Sequence, residues 1–219
     1  MCPTNTFTAV IAAAGLSTRM GAFKPILPLG EESISRSLVL AFVRAGSLPV
    51  TVVTGYMAET LASHLGGLPV RLVHNSAYRT SQMFDSLRLG LLSLQKEEAA
   101  PLPDKIFLCP ADIPLVSSET IACMARQEAD IVIPVCSGRK GHPVCVSSSM
   151  LFALLEHDGT DGLRGALNGL SIKPLMLAVS DPGILTDADT MEDYERIKKL
   201  LRRENDEYSD ISRADCSGR

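Results

Sequence analysis

The sequence predicts an α/β fold: a single doubly wound, mainly parallel sheet with helices on both faces. Three observations predict it. Short runs that are apolar on both faces recur along the chain, as strands of a sheet covered on both sides require. Between them lie segments with apolar residues three or four positions apart, the spacing of one helix face. The two kinds of segment alternate almost throughout, which implies strand–helix–strand units with right-handed crossovers and hence parallel strands.

Taken in order, the first strand is Thr8–Ala14. A helix over Ser33–Ala45 follows, with Ile34, Leu38 and Phe42 at a spacing of four and Gly46 where a helix-closing glycine belongs. Val50–Thr54 and Val70–His74 are the next strands, and Met83, Leu87, Leu91 and Leu94 form a second helical stripe, with Met83 and Leu87 expected in the core. Glu97–Asp104 is an exposed loop. Lys105–Cys109, Ile131–Val135, Val144–Val146 and Pro174–Val179 complete the strands, with a weaker helical stripe at Ile121 and Met124. A last helix begins near Thr190, where Asp193 makes a partial capping box and Tyr194, Ile197 and Leu201 face inward. Residues 1–202 are expected to form one domain, followed by a polar, disordered tail over 203–219.

Composition excludes several classes. With 46% hydrophobic residues in 219, the chain buries a real core. A net charge of −4 argues against a general nucleic-acid or membrane-surface binder. The six cysteines contain no C-x-x-C pair, so neither a zinc site nor a disulfide framework is indicated. Phe7–Leu16 has the look of a signal-peptide core but no charged segment precedes it, the first charged side chain being Arg19. The expectation is a cytoplasmic protein with no nucleic-acid or membrane partner.

In an open α/β sheet, ligands bind beyond the carboxyl ends of the strands, where strand order reverses. The turn after the first strand runs Ala12–Gly21, with Lys24 close behind. Its small residues and Gly15 allow backbone N–H groups to approach an anion, and Arg19 and Lys24 add positive charge. This suits a triphosphate; the plainer reading is a glycine turn with two surface cations. Asp112, between Pro110 and Pro114 at another strand end, suits a hard cation, or else serves the turn. Asp187 and Asp189 precede the last helix, where a metal-binding role competes with simple capping. The basic loop Gly138–Pro143 is either a cradle for an anionic acceptor or an ordinary turn, and the helix start at Ser81–Arg88 can hold ribose or phosphate.

The run A-A-A-G-L-S-T-R-M-G-x-x-K, continuing to Pro28-Leu29-Gly30, resembles the signature of the MobA-like NTP transferases related to molybdenum cofactor biosynthesis. That resemblance implies a Rossmann-like nucleotidyltransferase fold. It implies that Ala13, Ala14, Gly15 and Ser17 wrap a triphosphate, and that Arg19 and Lys24 contact its phosphates. Cys109–Val116 resembles the family's G-D-x-P-x-V element, which makes Asp112 a ligand of Mg²⁺ and, with Arg19 and Lys24, a catalytic residue. Thr186–Asp193 resembles D-x-D-T-P-E-D, with Met191 in place of Pro, and gives Asp189 as the second metal carboxylate, Asp187 being the alternative. Ser86 keeps a family position in nucleotide or acceptor binding, although Gln82 stands where Gly is usual. Gly138–Pro143 resembles the G-x-x-G-H-P segment of the cytidylyltransferase branch, which brings His142 into the site, and Asp161–Ala166 resembles a segment near the acceptor pocket.

The implied reaction is attack by an acceptor phosphate on the α-phosphorus of CTP or another NTP, with release of pyrophosphate. The AAAG turn leans towards cytosine. The implied acceptor is molybdopterin bearing molybdenum, with a molybdenum hydroxylase apoenzyme as a downstream partner. Transfer to a sugar, polyol or choline phosphate, guanylyl transfer to the molybdenum cofactor, and a non-catalytic role in cofactor delivery remain open from sequence.

Overall fold

The structure is a computed structural model describing residues 5–16, 20–96 and 101–201. The chain opens with β1 (Phe7–Ala13), makes a 3₁₀ turn at Lys24–Ile26 and a small hairpin of β2 (Pro28–Leu29) and β3 (Glu32–Ser33). Then come α1 (Ile34–Arg44), β4 (Val50–Thr54), α2 (Ala58–His64), β5 (Val70–His74), α3 (Met83–Gln95), β6 (Lys105–Pro110) and α4 (Ser118–Ala125). The second half adds β7 (Ile131–Cys136), β8 (Arg139–Lys140), β9 (Val144–Ser147), α5 (Leu151–Glu156), α6 (Gly162–Gly169) and β10 (Leu175–Ala178). A final helix, α7, occupies residues 191–201. No helix among the described residues is long and apolar enough to cross a membrane.

The main sheet has the order β10-β7-β9-β6-β1-β4-β5, with β8 paired to β7. Strand β1 pairs parallel with β4 on one side and β6 on the other, and the β4–β5 and β7–β10 pairs are also parallel. The expected mainly parallel sheet is present, with a reversal the alternation of segments did not indicate: β9 runs antiparallel to both β6 and β7. The physical reason is the short link. A parallel pair needs a crossover of a dozen residues or more, and the few residues between β7 and β9 permit only a hairpin-like return.

Side chains alternate between two cores, as the pleat demands. Phe7, Ala9 and Ile11 of β1 meet Leu38 and Phe42 of α1, Leu61 of α2 and Ile121 of α4 on one face. Val10 of the same strand faces Phe84, Leu87 and Leu91 of α3 on the other, joined by Leu154 of α5 and Leu167 of α6. A small third cluster of Met20, Leu29, Ile34, Ala188, Tyr194 and Ile197 fixes α7 against the β2–β3 hairpin.

The chain runs from β1 out to β4 and β5, then returns to the opposite side of β1 as β6. Strand order therefore reverses between β1 and β6, which places the ligand crevice beyond their carboxyl ends. Met83 departs from expectation. It is 42% exposed, because the first turn of α3 overhangs that crevice instead of the sheet. Residues 97–100 of the expected Glu97–Asp104 loop and the expected tail lie outside the described residues.

Candidate active site

A cleft of about 230 Å³ opens at the switch point. Ala13, Ala14 and Gly15 at the carboxyl end of β1 form one wall, Ala111 and Asp112 after β6 another, and Gln82 at the start of α3 a third. The turn after β1 is seated by a close approach: a Cβ on Gly55 would lie 2.7 Å from the Ala14 carbonyl and 2.6 Å from the Tyr78 Cβ. The glycine at 55 thus lets the β1 and β4 ends stack directly, with Tyr56 N–H donating to Ala14 O at 3.4 Å. Ser17 and Arg19 lie outside the described residues.

Three charged side chains converge at the cleft's edge. The Lys24 ammonium donates to Asp112 Oδ2 at 3.2 Å and to Asp189 Oδ1 at 3.1 Å. These residues are far apart in sequence, and two local devices bring them together. Pro25, buried inside the 3₁₀ turn, anchors the backbone at Lys24. On the other side, Ala188 is buried and its N–H donates to the Asp112 carbonyl at 2.8 Å, which sets Asp189 beside Asp112.

Capping of α7 falls to Thr190 and not to Asp189. Thr190 N–H and Oγ1 donate to Asp193 Oδ2 at 3.1 and 2.7 Å, and Asp193 N–H donates back to Thr190 Oγ1 at 3.1 Å. These bonds hold the Asp193 carboxyl below the usual carboxylate range. With the helix end satisfied by this box, Asp189 keeps its carboxylate for Lys24. Nearby, the Asp187 carboxyl is raised by partial desolvation and then by the negative charge of Asp112 and Asp189. Among the described residues no group of three or more His, Cys, Asp or Glu side chains assembles a metal cage. The donor set that does form is a pair of hard carboxylates with a cation already seated on both. Mg²⁺ and its like are commonly held by one or two carboxylates plus substrate phosphates, so this pair suits such an ion.

Ser86 is buried on the cleft's inner side, and its Oγ accepts from Asn75 Nδ2 at 3.0 Å. Asn75 is itself buried and also donates to Ser81 Oγ at 2.8 Å, so one side chain braces the start of α3 against the end of β5. Gln82 is the N-cap residue of α3, its N–H donating to Asp85 Oδ2 at 2.8 Å. Nothing in the pattern around Asn75 marks it as a brace, since its partners are set by the return of the chain from β5.

His142 is not on the wall of this cleft. It belongs to an adjoining chamber of about 850 Å³ that shares Gln82 and Met83 with the cleft. Ile133, Val144, Leu163, Leu167 and Met176 give that chamber an apolar lining, with Lys140, Arg164 and Asn168 as polar lining residues. Burial lowers the pKa of His142, opposed by the charge of Asp112, and its Nδ1 is buried without a hydrogen-bond partner. The loop carrying it is fixed by Gly141 N–H to Pro134 O and His142 N–H to Ile184 O, each at 2.9 Å. A Cβ on Gly141 would meet the Ile184 carbonyl at 2.4 Å, so glycine is what allows the loop to lie so close. Asp161–Ala166, which the sequence left without a role, supplies part of the chamber through Asp161, Gly162, Leu163 and Arg164.

A family model described as MobA-like NTP transferase domain matches residues 9–174. The chain belongs to that family. As a MobA-like NTP transferase it is a nucleotidyltransferase. It is 25% identical over 187 residues to the molybdenum cofactor cytidylyltransferase of Escherichia coli, covering 84% of this chain and 92% of that protein. A nucleotidyl transferase structure from Methanothermobacter thermautotrophicus superposes with a TM-score of 0.77 at 25% identity, covering 91% of this chain and 99% of that one. The structure of a protein from Mycobacterium sp. strain JC1 follows at a TM-score of 0.74 and 26% identity, covering 90% and 97%. Both solved structures share the fold on which the two cavities of the MobA-like chain are built.

Proposed function

We propose that this nucleotidyltransferase moves CMP from CTP onto a phosphomonoester acceptor, most readily molybdopterin bearing molybdenum. The observation that carries the reading is the convergence of Lys24, Asp112 and Asp189 beside the Ala13–Gly15 turn at the sheet's switch point. The cytidine preference draws on the AAAG turn and on the likeness to a cytidylyltransferase.

In this reading the backbone N–H groups of the Ala13–Gly15 turn, together with Ser17 and Arg19, cradle the β- and γ-phosphates, and Lys24 turns towards them. Asp112 and Asp189 hold a divalent cation, Mg²⁺ by preference, which supplies charge neutralisation at the transferring phosphate when bound. An acceptor phosphate oxygen attacks the α-phosphorus; the bond from that phosphorus to the bridging oxygen breaks, and pyrophosphate leaves with its electron pair. A phosphomonoester dianion is already a competent nucleophile, so the chain's work is placement and electrostatics. Ser86, braced by Asn75, keeps the start of α3 in position beside the nucleotide.

The adjoining chamber supplies the acceptor site. Its Ile133, Leu163, Leu167 and Met176 fit a broad apolar or heteroaromatic body better than a hydrated sugar or polyol, and Lys140 and Arg164 offer positive charge. His142, neutral at pH 7 in this setting, offers a buried ring nitrogen to a polar group of the acceptor.

Pyrophosphate release with CTP, GTP, ATP and UTP in turn, with and without molybdenum-loaded molybdopterin, tests the proposal. Release with CTP and that acceptor together is the expected result. Binding of CTP with no release for this acceptor would move the assignment to another phosphate ester or to a cofactor-delivery role.

A further inference from the structure

Lys24 sits on the very carboxylates that the proposed reaction assigns to the metal. Its Nζ is 3.2 Å from Asp112 Oδ2 and 3.1 Å from Asp189 Oδ1, and its side chain is only 13% exposed. The backbone beneath it is fixed: Pro25 is buried, and Leu27 N–H closes the 3₁₀ turn on the Lys24 carbonyl at 3.1 Å. Above that anchor the side chain is a compact charge on a flexible four-carbon chain, so the ammonium can be re-aimed without moving the backbone. The same side chain also lines the nucleotide cleft beside Gly15. One ammonium therefore has two anionic destinations within reach, the carboxylate pair and whatever phosphates enter the cleft. It cannot serve both fully. A divalent cation at about 2.1 Å from carboxylate oxygens cannot share them with an ammonium at hydrogen-bonding distance without strong like-charge repulsion.

We propose that Lys24 is an internal counter-ion that occupies the carboxylate pair until a triphosphate draws it away, so that metal and nucleotide bind as a coupled pair. This rests on the reading of Asp112 and Asp189 as metal ligands. The nucleotide-free protein then discriminates against free divalent ions, and the metal enters with, or after, the triphosphate. Because coupling is reciprocal, whatever factor the triphosphate adds to metal affinity the metal adds to triphosphate affinity.

The test is direct titration of the full chain with Mn²⁺ as the probe, read by electron paramagnetic resonance of the free ion, without nucleotide. Lys24→Met removes the charge and keeps the length; it is expected to tighten Mn²⁺ binding by about tenfold, inside the usual span of coupling between ligands. Lys24→Gln should do the same, which guards against loss of fold in one variant, and Lys24→Arg should leave binding as weak as in the wild type. Unchanged or weaker Mn²⁺ affinity in both uncharged variants, with folded circular dichroism spectra, would overturn the counter-ion role. The companion variant Asp112→Asn in the Lys24→Met chain separates the two readings. Loss of Mn²⁺ binding there keeps the metal site whether or not Lys24→Met gives a gain. Unaltered binding there places the ion elsewhere and removes both the site and the counter-ion.

Discussion

The two cavities on this sheet are made by different means. The cleft proposed for the nucleotide has its floor in main chain and short side chains at the ends of β1 and β6, both members of the parallel run β6-β1-β4-β5, with Lys24, Tyr78 and the start of α3 around it. The chamber beside it is built from long apolar side chains on β7, β9, α6 and β10, where the reversed strand β9 interrupts the parallel order. A phosphate chain has the same shape whichever acceptor it meets, so backbone N–H groups and fixed charges suffice to hold it. An acceptor body has its own shape, which only side chains can match. The division teaches where to expect the two kinds of specificity: turnover in the first cavity, acceptor choice in the second.

The sharpest way to break this comparison is Asp112→Ala. Turnover is expected to fall by about 10²–10³-fold, the scale for losing one preorganised electrostatic group. The acceptor KM should change little, and steady-state kinetics at low Mg²⁺ check it. Wild-type turnover there would end the assignment of the first cavity. Next in size is Gly141→Ala. The added methyl meets a main-chain carbonyl that cannot yield cheaply, and a loss of about 1–3 kcal/mol in unfolding free energy is expected from chemical denaturation. Because the loop lines the chamber, the variant should raise acceptor KM well above any change for CTP.

Met176→Glu is a gentler probe of the same contrast. Met176 is 41% exposed and lines the chamber but not the cleft, so acceptor KM should rise several-fold while CTP KM stays within about twofold, as for the surface changes that leave a site alone. The smallest effect concerns the sheet that both cavities share. Burial pushes the Cys145 thiol up to about 12 and the Cys109 thiol in the same direction, from an ordinary value of 9.0. Above pH 9 the unfolded chain loses those protons while the folded chain keeps them, so stability should decline as pH rises beyond that point. Urea midpoints at pH 8 and pH 10 measure it, and an increase at the higher pH would contradict the burial.

Legibility in the sequence follows the same division. The strand Val50–Thr54, buried at every position, was readable to the residue, and Val70–His74 matched as well although this outer strand is only partly buried. The helix expected over Ser33–Ala45 forms as α1 over Ile34–Arg44, with Ser33 as its cap, its Oγ accepting from Arg36 N–H at 3.3 Å. The carboxylates at 112 and 189 were readable because each sits at a strand or helix end in a short motif. That Lys24 would join them was not, since the bond from Ala188 to Asp112 depends on how residues far apart in the chain pack. The short elements α2, α5, α6 and β8 were missed for another reason: at two to eight residues they hold too few buried positions to show a period. Met83 was misjudged because spacing alone places a residue on a helix face but does not reveal where that face runs past the edge of the sheet.

The tie between Ala188 and Asp112 has a consequence for the order in which the molecule becomes competent. A chain emerging from the ribosome presents the β1 turn, Lys24 and Asp112 long before residue 189 exists, and its parallel core has every strand it needs by residue 178. Until the 191–201 helix seats itself on Met20, Leu29 and Ile34, such a nascent chain has half of its carboxylate pair. The carboxylate pair that meets Lys24 is therefore complete only once residues 188–201 are in place. The closing helix thereby belongs to a cleft that its own side chains do not line.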